Sequence, residues 1–169
     1  MHDSGTQTFE KAEKNMKGDP RVIRELNGYL SFELTGHRQY LLHDATCRHW
    51  GFPRLADVQH AYSEEETKHA ARIMARILLL GGIPSMESRR AVDARDTVAK
   101  QLDYDRQLVG EAIDHLRSAI GICEQCGDFV SRDLLAEMLD DEELHLDWLD
   151  RQKGLIDKVG MQDYLQAQM

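Results

Sequence analysis

The chain has 169 residues, of which 30% are charged, 41% hydrophobic and 7% aromatic, and its formal net charge is −9. That is enough chain for one domain with a sizeable core, and the mix is that of a helix-rich protein. The acidic balance argues against nucleic acid and anionic membrane as partners and suits cations, and no apolar run approaches the length of a membrane span.

Residues 1–15 are polar, lack the apolar segment of a signal peptide and read as a mobile N-terminal arm. Asp19-Pro20 then reads as an N-cap followed by proline at the first helical position. Val22, Ile23, Leu26, Leu30, Leu34 and Leu41 recur at helical spacing until Gly51-Phe52-Pro53 ends this first helix. A second helix carries Leu55, Val58, Tyr62, Ile73, Ile77 and Leu80 and stops at Gly81-Gly82-Ile83-Pro84. From Ser85 to about Asp96 the chain is polar without apolar period. A third helix carries Leu102, Val109, Ile113, Leu116, Ile120 and Cys123. Gly127-Asp128 reads as a closing glycine and a new N-cap. The fourth carries Val130, Leu134, Leu135, Met138, Leu149 and Ile156 to Gly160, and residues 161–169 are long enough for one short helix more.

The tight connections make two antiparallel hairpins. A helix of about 27 residues is ~40 Å long, and a connection of about 15 residues spans up to ~50 Å. The middle connection can therefore run the whole bundle and leave the second and third helices parallel. The fold class expected is all-α, a ferritin-like four-helix bundle with one long crossover and a short fifth helix. An ordinary up-and-down bundle with a loose loop is the alternative.

Polar residues interrupt the apolar seams at defined places. The first-helix seam runs Leu26, Leu30, Glu33, His37, Leu41, and the second runs Leu55, Val58, Tyr62, Glu66, His69, Ile73. The fourth runs Leu135, Met138, Glu142, His145, Leu149. Two helices thus each turn a Glu-x-x-His inward, with acid and imidazole one turn apart on one face. Buried carboxylates that face one another repel and retain protons; a pair of divalent cations relieves both penalties. Glu-x-x-His from two helices with further glutamates from the others is the pattern of carboxylate di-iron bundles.

Met16-Lys17-Gly18-Asp19, Glu33-Leu34, Gln39-Tyr40, His43, Trp50-Gly51, Lys68-His69-Ala70, Arg76-Ile77-Leu78, Phe129-Val130-Ser131-Arg132-Asp133, Asp141-Glu142-Glu143, Asp147-Trp148-Leu149 and Tyr164-Leu165-Gln166 carry a further signal. Through them the chain resembles the bacterioferritins from Met16 to Met169, so residues 16–169 are expected to form one ferritin-like di-iron domain. The resemblance implies a cage of roughly two dozen subunits. It also implies an iron-storage and detoxification subunit that oxidises Fe(II) with dioxygen or peroxide and stores ferric mineral. Glu33 and His69 would hold one iron, Glu66 and Glu142 would bridge, and His145 would hold the second. Tyr40 resembles the family's tyrosine beside the metals; the plainer reading is a core tyrosine.

Two positions depart from the family pattern. Its third helix supplies a terminal glutamate where this chain has Val109, which cannot coordinate a metal. Glu111 is about 200° around the helix, and Asp105 is offset by about 40° and ~6 Å along it. An asymmetric centre with a weak second position is expected. The family's haem methionine is replaced by Thr67, which offers no thioether, so no haem is expected from a symmetric pair of these subunits. These departures favour, as an alternative, a non-catalytic or impaired partner subunit in a mixed cage rather than a homo-oligomer. Cys123-x-x-Cys126 is expected to be two ordinary thiols at a helix end, and with Cys47 they make an odd count consistent with reduced cysteines and a cytoplasmic location.

Overall fold

The computed structural model describes residues 17–169, so the arm expected over residues 1–15 lies outside the described residues. The described residues form α1 (Pro20–Trp50), α2 (Pro53–Leu79), α3 (Val98–Cys126), α4 (Phe129–Val159) and α5 (Met161–Gln166). The caps are those read from the sequence. Asp19 accepts from Arg21 N at 2.8 Å with Pro20 beside it, and Asp128 accepts from Ser131 N at 3.0 Å. Gly51 and Gly127 close α1 and α3 at φ of 85° and 70°, a left-handed backbone that a side chain disfavours.

Cross-helix contacts give the topology. His37 meets Ser63 and Arg48 meets Asp57, so α1 and α2 are antiparallel. His115 meets Glu25 and Cys47 meets Gln101, so α1 and α3 are antiparallel as well. Helices α2 and α3 are therefore parallel, and the segment between them crosses the length of the bundle. A polar stripe on α1, spaced by four residues, holds it there. Asn27 bonds Ile83 O and Ser85 N, Ser31 O and Thr35 Oγ1 accept from Arg89 N, and Gln39 clamps both N and O of Asp93. The crossover has no apolar period because it is anchored by hydrogen bonds to a helix rather than by burial.

The core falls into two apolar clusters. One is built around Leu26, Leu30, Ile73, Ile77, Leu116, Leu135 and Met138, the other around Leu55, Leu102, Val109, Ile113, Leu149 and Tyr164. On α1, α2 and α4 a band of buried polar residues separates them. Three seam assignments are corrected. Leu41 and Val130 are exposed and His37 is half-buried, because the α1 seam turns through Tyr29, Glu33, Tyr40 and His43, and Val130 sits on the outer side of the first turn of α4. The tail is ordered: Tyr164 is buried with its hydroxyl donating to Gln152 at 3.1 Å, and Arg54 bonds the carbonyls of Ala167 and Gln168.

Candidate metal centre

The polar band brings the five expected ligands together. Glu33, Glu66 and His69 offer ligand atoms within 4.8 Å of one another, and so do Glu66, Glu142 and His145. All five are buried. Glu66 belongs to both groups, while Glu142 belongs only to the second. Local sequence explains the approach: a side chain at Gly36, one turn after Glu33, would place its Cβ 3.1 Å from Glu66 Cδ. Glycine there lets the shared carboxylate lie against the α1 backbone.

The electrostatics are those of a centre built for cations. Burial pushes Glu33 up to about 8, with the charge of Glu142 adding to the shift. Burial, then the neighbouring carboxylate, raises Glu66 and Glu142 well above the usual range. Burial holds His145 down at about 3, so its imidazole is neutral at physiological pH and has a free lone pair. Tyr29 donates to Glu142 Oε1 at 3.2 Å. Both Glu33 oxygens and His69 Nδ1 are buried without a hydrogen-bond partner, although His69 Nδ1 stands 3.5 Å from Glu33 Oε2. Buried polar atoms are seldom left so; a bound divalent cation is what this donor set fits.

Helix α3 is different. Val109 is buried in the second apolar cluster, beside Ile113 and Leu149. Glu111 pairs with Arg90 of the crossover, away from the centre. Asp105 is fully buried but is held by His43 Nδ1 at 3.2 Å and Gln59 Nε2 at 3.1 Å, and among the described residues it joins neither ligand group. Gln39 lies 2.8 Å from His43 Nε2, an arrangement in which the His43 proton sits on Nδ1 and points at Asp105. Asp105 Oδ2 thus has its own partners one turn from Val109, while Oδ1 is buried without one.

Tyr40 stands beside the centre as the resemblance implies, and Tyr62, Trp148, Asp141 and Glu65 are neighbours given no role from the sequence. Tyr62 stacks on His145 with centroids 3.5 Å apart and planes 11° apart. Tyr40 meets the same ring edge-on at 5.4 Å, and Trp148 closes on Tyr62 at 5.8 Å. Asp141 Oδ2 lies 3.3 Å from His69 Nε2, and Glu65 joins them in a third group. The available signal was the residue before each motif glutamate: both read acid-Glu-x-x-His, Glu65-Glu66 on α2 and Asp141-Glu142 on α4. Of the cysteines, Cys47 and Cys123 are buried, Cys126 is half-buried, and none joins a ligand group among the described residues.

Comparison with known proteins gives a consistent result. The ferritin-like domain family matches residues 23–159. The chain is 41% identical over 155 residues to a bacterial ferritin of Pseudomonas aeruginosa, covering 91% of this chain and 100% of that protein. It is 39% identical over 155 residues to a bacterial ferritin of Synechocystis, covering 91% and 99%. It is 38% identical over 149 residues to a bacterioferritin of Mycolicibacterium paratuberculosis, covering 88% and 94%.

Proposed function

This chain belongs to the bacterioferritin branch of the ferritin-like family, and from that premise we propose that it is an iron-storage subunit that oxidises Fe(II) at the buried centre. The observation that carries the reading is Glu66, one carboxylate common to two ligand groups that each end in a motif histidine. Fe(II) is the substrate, and dioxygen or peroxide takes its electrons. Glu33 and His69 would hold one ion, Glu66 would serve both, and Glu142 and His145 would hold the other. Because burial keeps the glutamates protonated without metal, each ion that enters displaces protons, and the site binds more tightly as pH rises. The neutral imidazole of His145 needs no such exchange.

The chain also suits a multi-subunit cage. Leu78, Leu79, Ile83, Met86, Phe129 and Val130 are exposed on the single subunit, apolar positions that contacts with other subunits would cover. No haem is expected between symmetric copies: Thr67 offers only a hydroxyl, 3.0 Å from His37 Nδ1.

The test is Fe(II) oxidation by the purified full chain, followed at two irons per subunit together with the mass of the assembly. A large oligomer that outpaces buffer supports the reading; a rate equal to buffer removes catalysis from it. Val109 favours a second reading, an impaired subunit completed by a related chain in a mixed cage. Co-purification of a chain with glutamate at the equivalent position supports that one, and a stable iron-loaded assembly of this chain alone counts against it.

A further inference from the structure

A metal-binding histidine ordinarily donates its second N–H to a carboxylate or a carbonyl, which fixes the angle of the ring. His69 has Asp141 Oδ2 3.3 Å from Nε2 in that place. His145 is held otherwise: burial alone lowers its pKa, with no hydrogen bond contributing. Tyr62, one turn before Glu66 on α2, lies flat against the imidazole, centroids 3.5 Å and planes 11° apart. Tyr40 of α1 meets the same ring edge-on at 5.4 Å. Tyr62 is itself backed by Tyr40 at 6.0 Å and by Trp148, one turn after His145 on α4, at 5.8 Å. At so short a centroid distance the two stacked rings overlap with little offset. Two electron-rich rings prefer an offset or edge-on meeting to such a sandwich. Full overlap suits a phenol that faces an imidazole depleted of electrons. His145 is not protonated near neutrality, so a cation on its free nitrogen is what would deplete it.

We propose that Tyr62 is a positioning residue of the His145 end: its stack fixes the plane of the imidazole, keeps the ring nitrogen among the oxygens of Glu66 and Glu142, and tightens as the ring gives electron density to an ion. This rests on the reading of the buried centre as a metal site. Helix α2 carries both Tyr62 and the shared Glu66, so one element sets the ring angle and the common carboxylate together. The stack matters more here than it would at an end with donors to spare. This ligand group has three members, and an imidazole turned out of line leaves two.

The competing account is that Tyr62 only fills space and that Tyr40 with the surrounding core fixes the ring. The experiment titrates the assembled full chain with Co(II), without dioxygen, and reads the absorbance of the bound ion, with anomalous density in soaked crystals assigning each step to its end. Tyr62→Leu keeps apolar bulk and removes the stack. It is expected to weaken the His145 step about tenfold and to leave the His69 step unchanged. Tyr62→Phe keeps the ring and loses the hydroxyl, and is expected to bind as the wild type does. Metal-free crystals are expected to show His145 in one rotamer in the wild type and Tyr62→Phe, and in more than one in Tyr62→Leu. If Tyr62→Leu does not assemble, Tyr62→Met, a flexible filler without a ring, takes its place with the same expected fall. A His145 step of wild-type strength without the ring overturns the proposal. So does a loss in Tyr62→Phe equal to that in Tyr62→Leu, or an equal fall at both ends. Failure of the wild-type protein to bind Co(II) at either end overturns the reading of the centre instead, and the rotamers of metal-free His145 still report on the stack.

Discussion

The two ends of the metal centre share Glu66 and are otherwise unlike. At the His69 end a carboxylate stands on each side of the ring. At the His145 end the ring stacks on Tyr62 and meets Tyr40 edge-on, and α3 carries Val109 in the apolar cluster where the family pattern has a glutamate. The first end has the donor set that the proposed function needs to hold an ion. The second offers a neutral imidazole and, like the first, two carboxylates, but no side chain from α3 among the described residues. Under the proposed function the two ends would bind ions with different affinities, with Val109 on α3 as the position that sets the difference.

The most severe way to break this comparison is to remove what the ends share. Glu66→Gln is expected to lower Co(II) affinity at both ends by about 100-fold or more, beyond the 10–100-fold typical of outer partners. Isothermal titration should show the stoichiometry per chain collapsing, and loss of one ion only would show that Glu66 serves a single end.

The next effect comes from pH. Glu33 has its pKa raised in the folded state, from 4.5 to about 8, so the stability it contributes is complete below 4.5 and is lost as pH rises through 8. His145 has its pKa lowered, from 6.5 to about 3, so its contribution is present above 6.5 and is lost as pH falls toward 3. Between pH 6.5 and 8 only the carboxylate side changes. The metal-free protein should lose on the order of 2 kcal/mol across that window, read by denaturant unfolding. Saturating Zn(II) should reverse the slope, and Glu33→Gln should reduce it, Glu66 and Glu142 supplying the remainder. A metal-free protein whose stability rises with pH there would show that the carboxylates are not buried as charges-in-waiting.

Val109→Glu sharpens the comparison from the other side. It should raise affinity at the His145 end about tenfold, seen as a second binding step merging with the first. It should also destabilise the metal-free protein by a few kcal/mol, since a carboxyl replaces a buried methyl pair. An unchanged second step would mean that the α3 backbone lies too far from His145 to complete the site. The smallest change is Gly36→Ala, whose methyl would meet Glu66 Cδ at 3.1 Å and must displace it by a few tenths of an ångström. Both ends should weaken together, by less than in Glu66→Gln; weakening confined to one end would contradict the shared role.

Much of this was legible in the chain. Asp19-Pro20, Gly51, Gly127 and Asp128 act through their own backbone and nearest amides, so their sequence is enough to place a helix end. The spacing of Glu-x-x-His likewise needs only the helical period. Leu41 and Val130 were misplaced because a long helix that meets several neighbours shifts its buried face along its length, and a repeat counted from one end does not follow that shift. The Asp141 approach to His69 could not be read, because it depends on the stagger of α4 against α2.

The sequence by itself determined the helices, their ends and the inward acids and imidazoles, since these obey rules that act within a few residues. Only the tertiary structure decided which carboxylate is shared, that Asp105 is occupied by His43 and Gln59, that Tyr62 covers His145, and that a stripe from Asn27 to Gln39 ties the crossover down. Those outcomes turn on distances between helices far apart in the chain, and such distances are set by packing summed over the whole core rather than by any local pattern.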